Sequence, residues 1–290
     1  MAIDPKKFEA KPWRKPLRKF KECLFIILGK FMRSMGLLRN FPKNPVFIIG
    51  CPRSGTSIFN KMISECQDVA NLSEAIYIWS PGDTDIYSNH VKSATDVSPE
   101  EEKRIKGAFG FYQFLKRKRI FVNKCPRSSV RVPFIRAIFP DAKYIHVYRD
   151  GRAVVNSIIN IIEREDFRKC IPLGAFCKPK NWRNLAKMPS VEGHSYQWLE
   201  IIKEVQTAST GFDDSQWLNV SYEAFCSDPG KVMSGVFQFM NVNPTEKLLM
   251  NISQMPLSNN QKWRQKFSNN EIETMNRIMG KQLTAYGYEL

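Results

Sequence analysis

Hydrophobic and polar positions follow two different periods along this chain. Short apolar runs rich in β-branched and aromatic residues are typical of buried strands, and longer stretches with an apolar residue every three or four positions predict helices. Strands that alternate with helices favour an α/β fold, in which a mostly parallel central sheet is flanked by helices on both faces. The predicted strands cover residues 45–49, 120–122, 143–148 and 217–220, and the helices run from Ser98 to the basic cluster 116–119 and over 130–139, 151–162 and about 195–207. Residues 69–79 are predicted as a short strand or turn that leads into a polar loop over 80–96, and residues 163–190, rich in Pro, Lys and Cys, as a loop or lid.

The first predicted strand leads into a glycine loop. It ends at Gly50, and Pro-Arg-Ser-Gly then leads into a helix that begins at Thr56. A strand, a tight loop and a helix N-terminus together present backbone N–H groups to a phosphate. The spacing from Gly50 to Gly55 matches the ATP-binding pattern G-x-x-x-x-G-K-[ST], but Thr56 stands where that pattern has its lysine. The loop therefore predicts a site for an anionic nucleotide other than ATP. The alternative that it is only a turn between a strand and a helix, with no ligand, stays open at this point.

A second strand–turn–helix unit carries arginine. Arg149 follows the predicted strand 143–148, and Ser157 lies two helical turns further on. Ligands of open α/β sheets bind at the carboxyl ends of the strands. Because the planar guanidinium can donate two hydrogen bonds to one phosphate, Arg149 and Ser157 are candidates for holding an anion.

Positive charge is concentrated at the start of the chain. The net charge is +16, and residues 1–45 contain twelve Lys or Arg against three Asp or Glu. The segment 13–38 mixes these basic residues with Phe, Leu and Ile, and its apolar runs are far shorter than the roughly 20 residues of a membrane span. Two interpretations stay open: a basic amphipathic helix on an anionic membrane surface, or a helix packed on the domain with a solvated basic face.

These observations predict a basic arm over residues 1–44 and a single α/β domain over 45–290. Seven cysteines are spread through the chain without a C-x-x-C pair. A disulfide-stabilised secreted protein is not indicated, and a cytoplasmic protein is expected, with peripheral membrane association as one of the two interpretations left open for the basic segment. Neither acidic nor Cys/His ligand spacing for a metal is evident. No recognition motif for nucleic acid accompanies the positive charge, so nucleic acid is not an expected partner.

Two motifs in order, about 95 residues apart, resemble the signature of the PAPS-dependent sulfotransferases. Their pattern P-R-S-G-T-[ST] is matched by residues 52–57, and R-D-G-R-A-x-x-x-S by residues 149–157. The resemblance covers roughly residues 45–265 and is strongest to the branch of tyrosylprotein sulfotransferases and bacterial relatives. It implies a P-loop-type three-layer fold and an in-line transfer of a sulfuryl group from PAPS to a hydroxyl or amine, with PAP as product and no metal.

The resemblance also implies roles for individual residues. The 5′-phosphosulfate would be held by the loop, the 3′-phosphate by Arg149 and Ser157, and the adenine would lie near Tyr222. A degenerate late element would close over the nucleotide. The cofactor-binding residues implied in this way are Arg53, Ser54, Gly55, Thr56, Ser57, Arg149, Ser157, Tyr222, Lys262 and Trp263.

A base for the acceptor proton is the third part of the implied site. The family element N-K-D-P reads Asn-Lys-Cys-Pro here, which keeps Lys124 but places Cys125 at the aspartate position. The histidine that follows this lysine in the cytosolic branch is absent. In the tyrosylprotein branch the base is a glutamate after the loop helix, and that position corresponds to Glu74. We therefore predict Glu74 as base, with Lys124 and Arg53 as cations that stabilise developing charge.

Two other functions remain to be tested against this one. A kinase or other NTP-dependent phosphotransferase would need a loop lysine and acidic Mg²⁺ ligands. A non-catalytic nucleotide-binding protein at a membrane surface would need neither base nor cations. The acceptor is left open by the sequence: a small molecule, a glycolipid, a glycan or a peptide would each be compatible with a basic protein.

Overall fold

The computed structural model describes residues 14–81, 88–169, 171–254 and 261–290. Five strands form one sheet in the order β2-β3-β1-β4-β5, and every neighbouring pair is parallel. The predicted parallel sheet is therefore confirmed, and the segment predicted as a short strand or turn over 69–79 begins with the strand β2. The strands are β1 (Pro45–Ile49), β2 (Val69–Asn71), β3 (Ile120–Lys124), β4 (Lys143–Tyr148) and β5 (Trp217–Ser221).

Helices connect the strands and cover both faces of the sheet. They are α1 (Arg14–Ser34), α2 (Thr56–Ser64), α3 (Ile76–Trp79), α4 (Pro99–Lys116), α5 (Val132–Ile138), α6 (Gly151–Arg164), α7 (Asp166–Lys169), α8 (Trp182–Leu185), α9 (Ser190–Ser209), α10 (Tyr222–Ser227), α11 (Pro229–Phe239), α12 (Glu246–Ser253), α13 (Trp263–Lys266) and α14 (Asn269–Ala285).

Alternation along the central strand β1 divides the interior into two main layers. Phe47 and Ile49 belong to a cluster that includes apolar residues of α4 and α5, whereas Val46 and Ile48 belong to a second cluster with residues of α2 and α11. All five residues of β1 are buried. A strand that is buried on both faces reads as a continuous apolar run, which is why the sequence pattern identified it.

Differences from the predicted elements follow from prolines and from short helices. The helix predicted over 130–139 is a 3₁₀ turn, Pro126–Val130, followed by α5, because Pro133 fits only in a first helical turn. Residues 163–190, predicted as a loop or lid, contain α7 and α8, each too short to show a helical period. Of the predicted segments, residues 1–13 of the arm, 82–87 of the polar loop and Cys170 lie outside the described residues.

The described part of the basic arm, α1, packs along α4. Phe25 lies against Phe111, and an added methyl group at Gly29 would overlap the backbone of Gly107. The carboxylate of Glu22, which is 3% exposed, accepts hydrogen bonds from the N–H groups of residues 77 and 78 at the start of α3. These contacts fix the position of α1 against the domain. In the described ranges, no helix combines the length and the hydropathy that crossing a bilayer would need.

The close approach of α1 and α4 predicts opposite effects for two glycine substitutions inside helices. Gly29→Ala should lower the free energy of unfolding by about 1–3 kcal/mol, because the new methyl group must push the two backbones apart. Gly235→Ala, in α11 with open space at the position of its Cβ, should raise it by up to about 1 kcal/mol. Denaturant unfolding of both variants measures the difference, and an unchanged stability of Gly29→Ala would contradict the packing described here.

Candidate active site

Every strand of the sheet delivers a predicted site residue to the same edge. The glycine loop follows β1, Lys124 is the last residue of β3, and Arg149 comes directly after β4. Tyr222 comes directly after β5, and Glu74 lies three residues beyond β2. Because all strands are parallel, their carboxyl ends meet at this edge. The strand order reverses at β1, since β3 and β2 lie on one side of it and β4 and β5 on the other, and ligands of open α/β sheets bind at such a point. The candidate site is therefore built by the topology from distant parts of the sequence.

The loop after β1 depends on glycine for its backbone conformation and its close packing. Gly55 has φ 86°, and an added methyl group there would overlap the ring of Tyr222. Gly50 is held at the loop entrance by Ser129, whose hydroxyl accepts from the Gly50 N–H and donates to the Gly50 carbonyl, both at 2.9 Å. Helix α2 begins at Thr56, and the first N–H groups of a helix have no intrahelical acceptor. The loop and helix start thus have the geometry of an anion cradle.

Arg53 and Arg149 form a cationic cluster on one side of this cradle. The Arg53 Nε donates to the Ser157 Oγ at 3.1 Å, and the Arg149 Nη1 donates to the Arg53 carbonyl at 3.0 Å. The Arg149 guanidinium also lies 4.5 Å from the centre of the Tyr222 ring. Among the described residues, the Arg149 Nε and the Ser54 Oγ are buried without a hydrogen-bond partner. Unsatisfied buried donors beside a phosphate cradle fit a bound anion.

Electrostatics agree with an anion site at this cluster. Desolvation first, and then the charges of Arg149 and Arg168, lower the pKa of Arg53. Cations brought this close together repel one another, and an anion with several negative oxygens would relieve that repulsion.

Glu74 and Lys124 form a pair on the other side of the loop. The Lys124 Nζ donates to the Glu74 Oε1 at 2.9 Å and to the Ser57 Oγ at 3.3 Å. The side chain of Lys124 is 4% exposed, whereas that of Glu74 is 40% exposed. Lys124 therefore links the helix that follows the loop to a carboxylate that solvent and an acceptor can reach.

The backbone at Glu74 is strained. Its φ is 66°, and that of the next residue, Ala75, is 33°, both in the left-handed region that residues with a Cβ rarely occupy. The Glu74 N–H donates to the Lys124 carbonyl at 2.6 Å, which helps to hold this conformation. Strain of this kind costs of order 1–3 kcal/mol per residue and clusters at functional sites. It aims the Glu74 side chain at Lys124.

The charges around Glu74 keep it ionised. Burial is the largest single influence and raises its pKa, whereas the Lys124 ammonium, which also hydrogen-bonds to it, lowers the pKa. Arg18 and Arg127 act in the same direction, so the pKa of Glu74 lies below its ordinary value of 4.5. At neutral pH the carboxylate is therefore unprotonated and able to accept a proton.

Trp263, which forms the predicted late element with Lys262, packs beside the turn that carries Arg149. Trp263 is buried, and the Arg152 guanidinium lies 4.4 Å from the centre of its ring. Lys262 is exposed at the start of α13. Arg152 in turn forms an ion pair of 2.8 Å with Asp150, whose carboxylate also accepts from the Arg152 N–H at the start of α6. These residues support the turn that carries Arg149, and the closing role of the late element stays a prediction.

The three histidines are buried and belong to the interior. The His146 Nδ1 lies 3.0 Å from the Asn219 Oδ1, and burial lowers the pKa of His146 to about 4. His194 pairs with Gln197 within α9, and burial lowers the pKa of His90 to about 2. As far as the described residues extend, no group of three or more His, Cys, Asp or Glu could hold a metal ion.

Arg18 is a site neighbour that the sequence did not identify. Its Nη1 lies 3.9 Å from the Glu74 Oε2, and its Nε donates to Glu22 at 2.8 Å. Arg18 belongs to α1, so no spacing along the sequence connects it to Glu74. The i, i+4 spacing of Arg18 and Glu22 predicts a helical ion pair but gives no indication of the third partner.

Comparison with known proteins now supplies the family. The profile described as the sulfotransferase family matches residues 45–246, which contain both clusters and the loop between them. This chain is a member of that family. Its match begins at β1, so α1 and Arg18 lie outside the matched span.

Individual relatives agree with the family in sequence and in fold. Protein-tyrosine sulfotransferase A of Caenorhabditis elegans is 23% identical over 221 residues, which cover 70% of this chain and 51% of that protein. The sulfotransferase STF9 of Mycobacterium avium has a TM-score of 0.59 at 13% identity, over 90% of this chain and 81% of that one. The sulfotransferase domain of the curacin biosynthetic pathway has a TM-score of 0.56 at 14% identity, over 86% and 99%. The chain spans about half the length of the curated relatives it matches.

The pair formed by Lys124 and Glu74 predicts a measurable shift in pKa. Removing the ammonium in Lys124→Met leaves burial as the largest influence on Glu74, so its pKa should rise above the wild-type value. NMR titration of the glutamate side-chain carbons measures it, with Lys61→Met on the exposed face of α2 as control. An unmoved Glu74 pKa in Lys124→Met would contradict the pairing.

Proposed function

We propose that this protein transfers a sulfuryl group from PAPS to a hydroxyl or amine of an acceptor, with Glu74 as general base. The observation that carries the proposal is the position of the glycine loop. It lies between an arginine cluster with unsatisfied donors and a Lys124–Glu74 pair that contacts the loop helix through Ser57. A nucleotide that carries phosphates at two positions and a transferable group would engage both sides at once.

The residues of the first cluster fit the nucleotide. Arg149 and Ser157 would hold the 3′-phosphate, and the N–H groups of residues 55–57 would surround the 5′-phosphosulfate together with the Ser54 and Thr56 hydroxyls. Tyr222 offers a ring beside the adenine position. When bound, PAPS supplies a sulfuryl group on a phosphate leaving group. Thr56, where an ATP-binding loop has lysine, favours this nucleotide over ATP.

The residues of the second cluster fit the chemistry of transfer. The sulfur–oxygen bond to the phosphate breaks as a bond to the acceptor oxygen or nitrogen forms, and Glu74 takes the proton that the acceptor loses. Lys124 and Arg53 stabilise the negative charge that develops on the leaving phosphate. Lys124 has a second task, because its ammonium keeps Glu74 ionised and oriented before the acceptor arrives.

For the acceptor, a tyrosine in a peptide is the first class to test. The curated relatives are named protein-tyrosine sulfotransferases, and a net charge of +16 favours a tyrosine with acidic neighbours. Glycans, glycolipids and small molecules with hydroxyl groups are the further classes for the same assay. The cytoplasmic location expected from the sequence stays a prediction.

Nucleotide preference is tested by calorimetric titration with PAP and, separately, with Mg-ATP. PAP should bind more tightly than Mg-ATP, and Arg149→Ala should weaken PAP by about tenfold or more, because it removes a charged donor to the 3′-phosphate. Arg277→Ala, on the exposed face of α14, is the matched control and should bind PAP as the wild type does. Preference for Mg-ATP would instead support the phosphotransferase hypothesis.

The role of Glu74 is tested by Glu74→Gln, which keeps the shape of the side chain and removes its charge. The rate of sulfuryl transfer from PAPS to an acidic tyrosine peptide should fall roughly 10²–10⁴-fold, while PAP affinity is retained. A peptide with phenylalanine in place of tyrosine controls for the acceptor, and Glu65→Gln, exposed after α2, controls for the substitution. Full activity of Glu74→Gln would exclude Glu74 as the base. If the wild type binds PAP but sulfates no tested acceptor, the result would support the non-catalytic hypothesis instead.

A further inference from the structure

Helix α1 has a second apolar face, which points away from the domain. Leu17, Phe20, Leu24, Ile27 and Phe31 recur every three or four residues and are 60%, 69%, 40%, 65% and 62% exposed. With 3.6 residues per turn, these five side chains occupy an arc of roughly 80°. We call them the outer stripe. Single exposed apolar residues are ordinary, whereas a continuous stripe of large ones indicates an interaction surface.

The outer stripe is distinct from the side of α1 that packs on the domain. The opposite side of α1 is already buried against α4 through Phe25 and the contact between Gly29 and Gly107, and Glu22 is buried against the start of α3. Helix α1 thus has two apolar faces, of which the fold uses one. Rotation of the helix to bury the stripe would expose Phe25 and leave Glu22 without its backbone partners.

Outside its buried side, the charged residues of α1 are all basic, and the acidic start of α4 lies beside Lys30 near the C-terminal end of α1. Glu22 is the only acidic residue of α1, and it is buried on the inner side. Lys19 and Lys21 are exposed and flank the stripe on opposite sides. Helix α4 runs antiparallel to α1, as the contacts of Phe25 with Phe111 and of Lys30 with Glu100 show. It therefore carries its exposed end, with Leu115, Lys116 and Arg117, toward the N-terminal half of α1.

We propose that the outer stripe of α1 docks the protein onto an anionic lipid bilayer. Phe and Leu would enter the boundary between headgroups and acyl chains, and the flanking lysines would reach the lipid phosphates and carboxylates. A second copy of the chain is a poorer occupant, because two faces with lysine borders and no exposed acid on α1 would repel each other. This inference does not rest on the proposed sulfuryl transfer.

Vesicle sedimentation with the full chain tests the proposal. The probes are vesicles of phosphatidylcholine alone and vesicles with about 30 mol% phosphatidylserine, an anionic lipid that attracts basic surfaces. The stripe variant combines Phe20→Ser, Ile27→Ser and Phe31→Ser, and the matched control combines Met250→Ser and Leu290→Ser, two exposed apolar residues elsewhere. A charge variant, Lys19→Gln with Lys21→Gln, leaves the stripe intact. Circular dichroism verifies that each variant is folded.

The wild type and the matched control should sediment with the phosphatidylserine vesicles, and more weakly as salt is raised. The affinity of the stripe variant for these vesicles should fall at least about tenfold, since three large apolar groups no longer leave water. The charge variant should lose much of the preference for phosphatidylserine. Absence of wild-type binding, or equal binding by the stripe variant, would overturn the proposal. So would a wild-type dimer in analytical ultracentrifugation that the stripe variant abolishes, since the occupant would then be a second copy.

Discussion

The parallel direction of all five strands is the constraint on which the candidate site depends. Parallel strands end at one edge of the sheet, and each of them has a candidate site residue or the glycine loop at or shortly after its last residue. β1 lies between β3 and β4, so the loop faces Lys124 on one side and Arg149 on the other. If any one strand ran in the opposite direction, its site residue would lie at the far edge of the sheet. The topology of the sheet therefore determines which side chains can meet in the candidate site.

The loop separates two kinds of electrostatic environment. On the arginine side, cations gather around donors that have no acceptor among the described residues, an arrangement suited to holding an anion. On the lysine side, a cation and a carboxylate satisfy each other, an arrangement suited to keeping a base ionised. Ser157 links the loop residue Arg53 to α6, and Ser57 links Lys124 to α2. Under the proposed function, this division would let one short loop hold a nucleotide on one side and lie beside the proton acceptor on the other.

How much of this was predictable from sequence depends on how local each feature is. The strand β1, the loop and the arginine after β4 were found because burial on both faces and glycine spacing leave patterns within a few residues. Glu74 could be placed only through the resemblance to a family, because its strained backbone and its pairing with Lys124 depend on the neighbouring strand. Arg18 was missed altogether. Its contact with Glu74 depends on how α1 packs against α3 and α4, and no spacing of residues along the chain reveals that packing.

The buried carboxylate of Glu22 has a consequence for how this family varies. It completes the start of α3 and holds Arg18, yet it lies outside the span in which the family resemblance is recognised. A homologue that lacks an equivalent of α1 must supply another acceptor for the two N–H groups at the start of α3 and another neighbour for the glutamate at position 74. Positions 18, 22 and 74 should therefore change together among relatives, and the part of the chain that evolves as one unit would begin before the span that the family shares.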